Sequence, residues 1–230
     1  MTYSLINSIK MKKIITSLAF TFILISHTTM AQNQYTEKLN KEEVTLVMVD
    51  FLEGFVPGIR TIDKNLFYAN AEALAKIGSI FKLPTVMLGD EGGFRGNFFP
   101  KVKENLPDAT YIERHVVSAW DEPKFREELE RIGNKKIVLG GISIDICTTQ
   151  LTLDLLNNGY QVYVVVDASG SDTNLNEMAA MLRLTQAGAV MINWGTLASE
   201  LMKDWATPEG PLVGELYQKY SYWGSSEIGK

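Results

Sequence analysis

The stretch Lys136-Ile-Val-Leu-Gly-Gly-Ile-Ser-Ile-Asp-Ile-Cys147-Thr-Thr-Gln150 decides how this chain is read. It opens as a short apolar run and meets Gly140-Gly141. It then delivers the only cysteine of the chain just ahead of a segment with helical spacing, Leu151 and Leu155. Such a run broken by paired glycines reads as a strand and a tight turn, and the i, i+4 spacing as a helix. Cys147 is therefore predicted at a helix N-terminus. Unpaired N–H groups and the positive end of the helix dipole there favour thiolate over thiol. The plainer alternative is a small buried hydrophobe, the common role of an unpaired cysteine.

The same unit recurs on both sides. Val44-Thr-Leu-Val-Met-Val49 is a near-continuous apolar run ending at Asp50, which suits a strand buried on both faces. Pro84 to Leu88 and Thr110 to Ile112 are read as further strands, the latter leading to Arg114. Gln161 to Val166, ending at Asp167, and Ala189 to Asn193 complete six strands. Between them, Leu66 to Phe81, Glu122 to Ile132, the segment after Cys147 up to Asn158-Gly159, and Asn174 to Ala187 are predicted helices. Pro123 in a first turn and Gly133 after a last one support the second of these. Gly89 to Asn97 is glycine-rich but lacks the Lys and Ser/Thr of a phosphate-binding loop, so it reads as a surface loop. Strands alternating with helices imply a parallel sheet covered on both faces. The expected fold is thus an α/β, three-layer, doubly wound sheet of about six mainly parallel strands.

The N-terminus carries a different signal. Met11-Lys-Lys13 is a basic start, Ile14 to Ile25 an apolar core, and Thr29-Met30-Ala31 a small-residue cleavage site. This predicts a secretory signal peptide over 1–31, with Met11 an alternative start, and a periplasmic or secreted product. The apolar run is short for a membrane span. A polar lead-in over 32–43 and one domain over 44–230 follow. Cleavage would remove 31 of 230 residues with three lysines and no acid, leaving 199 residues and taking the net charge from −5 to −8. An acidic chain without a basic run points away from nucleic acid and, after cleavage, from anionic membrane. One cysteine cannot form an internal disulfide, so a thiol in an oxidising compartment implies burial or use.

Ligands of open parallel sheets bind beyond the C-terminal ends of the strands. Asp50, Arg114 and Cys147 each follow a strand, so all three are expected on one edge. A carboxylate beside a thiol can take its proton, and a cation steadies both. Individually, the Asp could be a turn residue and the Arg a solvated charge. His115 offers a competing imidazole base, but neighbours on an extended segment point opposite ways. Phe51, Phe55 and Trp120, with Phe98, Phe99 and Trp194, are candidate pocket walls or simply core.

The chain resembles the isochorismatase-like cysteine hydrolase superfamily, in its YcaC-like branch. The blocks that carry the resemblance run in order from Val44 to Trp205. They are Val49-Asp50, Leu106-Pro-Asp-Ala-Thr-Tyr-Ile-Glu-Arg114 and Ala119-Trp-Asp121, then Gly141-Ile-Ser-Ile-Asp-Ile-Cys147. Val166-Asp-Ala-Ser-Gly170, Gln186-Ala-Gly-Ala189 and Trp194 through Trp205 follow. The resemblance implies a triad of Asp50, Arg114 and Cys147, with Arg114 where the family commonly has Lys. It implies a cis peptide at Ser143-Ile144 and an oxyanion hole from the backbone N–H groups of Ile144 and Cys147. It also implies a homo-oligomer acting without a cofactor on a small-molecule amide, imide or ester through an acyl-Cys147 intermediate. Nicotinamidase-type relatives use an Asp and two His on a metal. Beyond the leader this chain holds only His115, so no metal is expected. Two other readings stand beside the hydrolase. One is a binding or scaffold protein on the same fold. The other is a redox-sensing thiol, weakened by the lack of a resolving cysteine.

Overall fold

The computed structural model describes residues 35–221. The chain divides into two units, 1–38 and 39–230. Of the first, only 35–38 are described, an exposed turn. The leader over 1–31 lies outside the described residues. All that follows concerns the second unit.

Six strands form one sheet: β1 (Val44–Val49), β2 (Thr85–Gly89), β3 (Thr110–Glu113), β4 (Lys136–Gly141), β5 (Gln161–Val165) and β6 (Val190–Ile192). Every pairing is parallel, in the order β3-β2-β1-β4-β5-β6. The helices are α1 (Lys64–Ile80), α2 (Pro100–Asn105), α3 (Pro123–Ile132), α4 (Cys147–Asn157), α5 (Asn174–Ala187), α6 (Trp194–Met202) and α7 (Gly210–Tyr220). Alternation along β1 builds two cores. Leu46 and Met48 pack with Phe67, Leu74, Leu197 and Val213 from α1, α6 and α7. Val47 and Val49 pack with Phe125, Leu151 and Leu184 from α3, α4 and α5. This is the expected three-layer fold, with all six residues of β1 buried.

Local chemistry explains the boundaries. Asp63 caps α1, its carboxylate accepting from Asn65 N at 2.9 Å and Leu66 N at 3.1 Å. Gly133 ends α3 at φ 83° and Gly188 ends α5 at φ 105°, conformations that favour glycine. Helices α2, α6 and α7 and the 3-10 turns at Glu53–Gly58, Ala119–Asp121 and Val166–Ala168 were not predicted. They are short or begin where no apolar period is long enough to read. The end of the polar lead-in is not loose either. Leu39 is fully buried, its N–H donates to Glu200 Oε2 at 2.9 Å, and Lys41 pairs with Glu209 at 2.7 Å.

The chain leaves β1 toward β2 and β3, then returns to the far side for β4 to β6. The reversal falls between β1 and β4, where crevices open in such sheets. The two strands approach closely there. Val49 lies opposite Gly141, and a Cβ on Gly141 would stand 1.9 Å from the Val49 carbonyl oxygen.

Candidate active site

Asp50 ends β1 with φ 52°, a left-handed turn that a short polar side chain tolerates. Its N–H donates to Leu88 O at 2.9 Å. Arg114 follows β3, and its Nη2 donates to Asp50 Oδ2. Its Nη1 donates to the carbonyls of Val116 and, at 3.1 Å, Val117, which fixes the guanidinium plane. Both side chains are buried, and Nε of Arg114 has no hydrogen-bond partner among the described residues. Cys147 is the first residue of α4 and is half-buried. Its thiol is in hydrogen-bonding contact with both Asp50 and Arg114. Asp50, Arg114 and Cys147, 97 residues apart at the extremes, therefore meet at the switch point.

The turn that delivers Cys147 is tied down by its own helix. Thr148 Oγ1 donates to Gly141 O at 3.0 Å and Thr149 Oγ1 to Ile144 O at 2.6 Å. From the β5 side, Ser169 Oγ accepts the Gly141 N–H at 3.0 Å. The cis peptide lies at Ile142-Ser143, one residue before the expected Ser143-Ile144. The oxyanion expectation also changes. Ile144 N–H donates to Gly170 O at 3.1 Å, because the loop after β5 packs directly on the turn, so this donor is spent. Cys147 N–H has no acceptor among the described residues.

Burial pushes the Asp50 carboxyl up to about 6, against the pull of Arg114 and the hydrogen bond from Cys147. Burial, then the Asp50 charge, pushes the Cys147 thiol above its ordinary value, with Arg114 pulling the other way. The expected acidic thiol is thus corrected. The helix N-terminus favours thiolate, but desolvation and a carboxylate beside the sulfur outweigh it. The resting pair is a thiol and a carboxylate, and their affinities for the proton have been moved by burial in the same direction.

A cavity of about 460 Å³ opens on Cys147, bordered by Phe55, Ile59, Arg95, Ser143 and Asn176. Of the expected aromatic walls, only Phe55 lies there. Phe51 is fully buried between Phe67 and Phe99, and Trp120 packs edge-on against Tyr160 at 6.0 Å. Phe98, Phe99 and Trp194 are core. Arg95, missed in the sequence, reaches the cavity from the glycine-rich loop. Its guanidinium stacks over Phe55 at 4.6 Å and Phe94 at 4.8 Å, and Gly54 N–H donates to its carbonyl at 2.8 Å. Phe94-Arg95 set among glycines is the signal that could have found it. Two more lining carboxylates are held in place: Asp145 Oδ1 accepts from the buried Ser171 Oγ at 2.9 Å, and Asp172 Oδ1 accepts from Asn176 Nδ2 at 2.8 Å.

His115 does not line this cavity. Its side chain is 71% exposed, with Nε2 3.3 Å from Glu113 Oε1 and Nδ1 3.9 Å from Asp90 Oδ2. Among the described residues, Asp90, Glu113 and His115 could offer a cation three ligand atoms, all within 4.8 Å of one another. They lie at the surface.

A doubly wound parallel sheet with a cysteine, a carboxylate and a cation at its switch point defines a cysteine hydrolase of the isochorismatase type. Residues 44–196 match the isochorismatase domain, and the chain belongs to that family. The chain is 32% identical over 170 residues to the probable hydrolase YcaC of Escherichia coli K12, covering 73% of this chain and 82% of that one. It is 28% identical over 156 residues to the secreted isochorismatase effector Isc1 of Phytophthora sojae, covering 64% and 72%. Among solved structures, YcaC from Pseudomonas aeruginosa, bound to hexane-2,5-diol and covalent acrylamide, superposes with a TM-score of 0.76 at 34% identity. The match covers 80% of this chain and 92% of that one. The E. coli YcaC gene product, an octameric hydrolase of unknown specificity, superposes with a TM-score of 0.76 at 31% identity, covering 80% and 91%.

Proposed function

We propose that this hydrolase is an exported, homo-oligomeric enzyme that cleaves a small-molecule amide, imide or ester through an acyl-Cys147 intermediate. The observation that carries the reading is the Cys147 thiol shared between Asp50 and Arg114 at the floor of a cavity. Asp50 takes the thiol proton as Sγ attacks the carbonyl carbon. The backbone N–H of Cys147 faces the developing oxyanion. Asp50 returns the proton to the leaving nitrogen or oxygen as the C–N or C–O bond breaks. A water that gives its proton to Asp50 then attacks the thioester and releases the acid. The proton returns to sulfur. Arg114 holds the Asp50 carboxylate in place and keeps its own proton throughout.

Covalent acrylamide on a relative supports a nucleophilic centre of this kind, since thiolates add to that electrophile. The octamer described for the E. coli relative supports assembly. The leader pattern ending at Ala31 supports export, and N-terminal sequencing of the protein from the periplasm should begin near Gln32.

The central test screens amides and esters against wild type and Cys147→Ala with intact-mass detection. Acyl adducts should form on wild type and vanish in the variant. Turnover that survives Cys147→Ala removes the reading. Thiol alkylation against pH adds a second check. The wild-type midpoint should lie above that of an ordinary thiol. Asp50→Asn should bring it down, because it removes a charge that raises it, while hydrolysis falls on the order of 10²–10⁴-fold.

A further inference from the structure

Helix α5 (Asn174–Ala187) is apolar on two opposite sides. Ala180 and Leu184 face the core. On the other side Leu175 is 75% exposed, Met178 53% and Leu182 57%, with Ala179 exposed between them. At 3.6 residues per turn these four positions form one stripe. Scattered exposed hydrophobics are ordinary, but a continuous stripe on one helix is a contact surface. Its spacing is symmetric about the point between residues 178 and 179. A helix with such a stripe is complementary to itself in the antiparallel sense, with Leu175 against Leu182 at both ends and Met178 against Ala179 at the centre. That is the self-matching surface a two-fold axis requires.

Charge agrees with the pairing. Arg183 is exposed and has no ion-pair partner among the described residues. In the antiparallel arrangement it falls within a turn of Asp172 on the other copy. Asp172 lies just before α5 and on the rim of the Cys147 cavity, as does Asn176 of α5 itself. Ile146, 53% exposed, stands on the same rim.

We propose that two copies of this chain pair through α5 about a two-fold axis, and that Arg183 of the second copy meets Asp172 at the mouth of the Cys147 cavity. The proposal rests on the homo-oligomer reading above. Each mouth would then be finished by a cation from the other copy, and substrate would enter between Arg95 of one chain and Arg183 of the other.

Cross-linking tests it independently of activity. In a full-length Cys147→Ala background, Ala179→Cys places the single thiol beside its own symmetry mate. Thr185→Cys places it on the flank, about 20 Å from its mate along the helix axis at 1.5 Å per residue. Mild oxidation should give a covalent dimer with Ala179→Cys at least roughly tenfold faster than with Thr185→Cys, the advantage of a preassembled pair. Adding Arg183→Asp should slow that cross-link, and adding Asp172→Arg as well should restore it. Equal rates for the two cysteines overturn the α5 contact. If the protein nevertheless sediments as an oligomer, the homo-oligomer reading stands and only this interface falls. If it sediments as a monomer, both fall. A charge swap that does not restore the rate overturns the Arg183–Asp172 contact.

Discussion

Asp50 is held under opposed pressures: burial raises its pKa and Arg114 restrains the rise. Because it must be ionised to accept the thiol proton, kcat/KM should climb with pH through a midpoint near 6. Arg114→Met removes the restraint, so the midpoint should move upward as the rate drops. Arg114→Lys keeps a charge but not the fork that grips two carbonyls and a carboxylate, so it should retain part of the activity. His115→Gln should leave the profile in place, since that ring faces solvent. A dead His115→Gln beside an active Arg114→Met would return the base to the imidazole. The three residues are legible in the sequence because each follows a strand, and parallel strands bring their ends together. The occupied Ile144 N–H is not legible, because it depends on Gly170 arriving from a different strand. The thiol's basicity is missed for a related reason. A helix N-terminus can be read from local spacing, but desolvation by distant segments cannot.

At the scale of elements, the long periodic helices and the buried strands announce themselves, whereas α6 (Trp194–Met202) does not. Its start depends on groups outside it. Asn193 caps it locally, accepting from Thr196 N at 2.7 Å, and Asp167 after β5 accepts the Trp194 N–H at 3.1 Å. Asn70 of α1 ties the two together, donating to Asp167 O at 2.8 Å and accepting from Trp194 Nε1 at 3.1 Å. Burial raises the Asp167 carboxyl to about 6, against the Trp194 hydrogen bond. A carboxyl that titrates near 6 when folded and 3.8 when unfolded binds more protons in the native state between those values. Its contribution to stability is therefore present in full below 3.8 and is lost as pH rises to about 6. The cost above that window is on the order of 3 kcal/mol at most. Asp167→Asn keeps an acceptor for the Trp194 N–H and removes the titration. Its melting temperature should exceed wild type at pH 7, and the advantage should shrink toward pH 4. An advantage that does not change with pH would assign the effect to packing.

For the whole molecule, the sheet is the most legible feature, because six short apolar runs alternating with helices admit few other arrangements. What the sequence does not declare is how tightly the switch point is built. Gly140-Gly141 reads as a turn, yet Gly141 is the last residue of β4, at φ 150°, with the Val49 carbonyl where a side chain would be. Gly141→Ala should destabilise the protein by roughly 3 kcal/mol or more, since neither backbone nor neighbour can yield cheaply. Denaturant unfolding measures this directly, and a loss under about 1 kcal/mol would mean that the strands can part there.

Among the described residues β1 is the first strand in chain order, and it lies in the middle of the finished sheet, held on one side by β2 and on the other by β4. The chain must therefore keep its first strand unsatisfied on one edge until some ninety residues later supply the partner. Asp50 directly follows β1 and Cys147 opens the helix that follows β4, so hydrolysis reports the closing of that gap and nothing earlier. In refolding from denaturant, helical signal should return first and turnover last, with the two separated in time. Coincident recovery would show instead that the sheet closes in a single cooperative step.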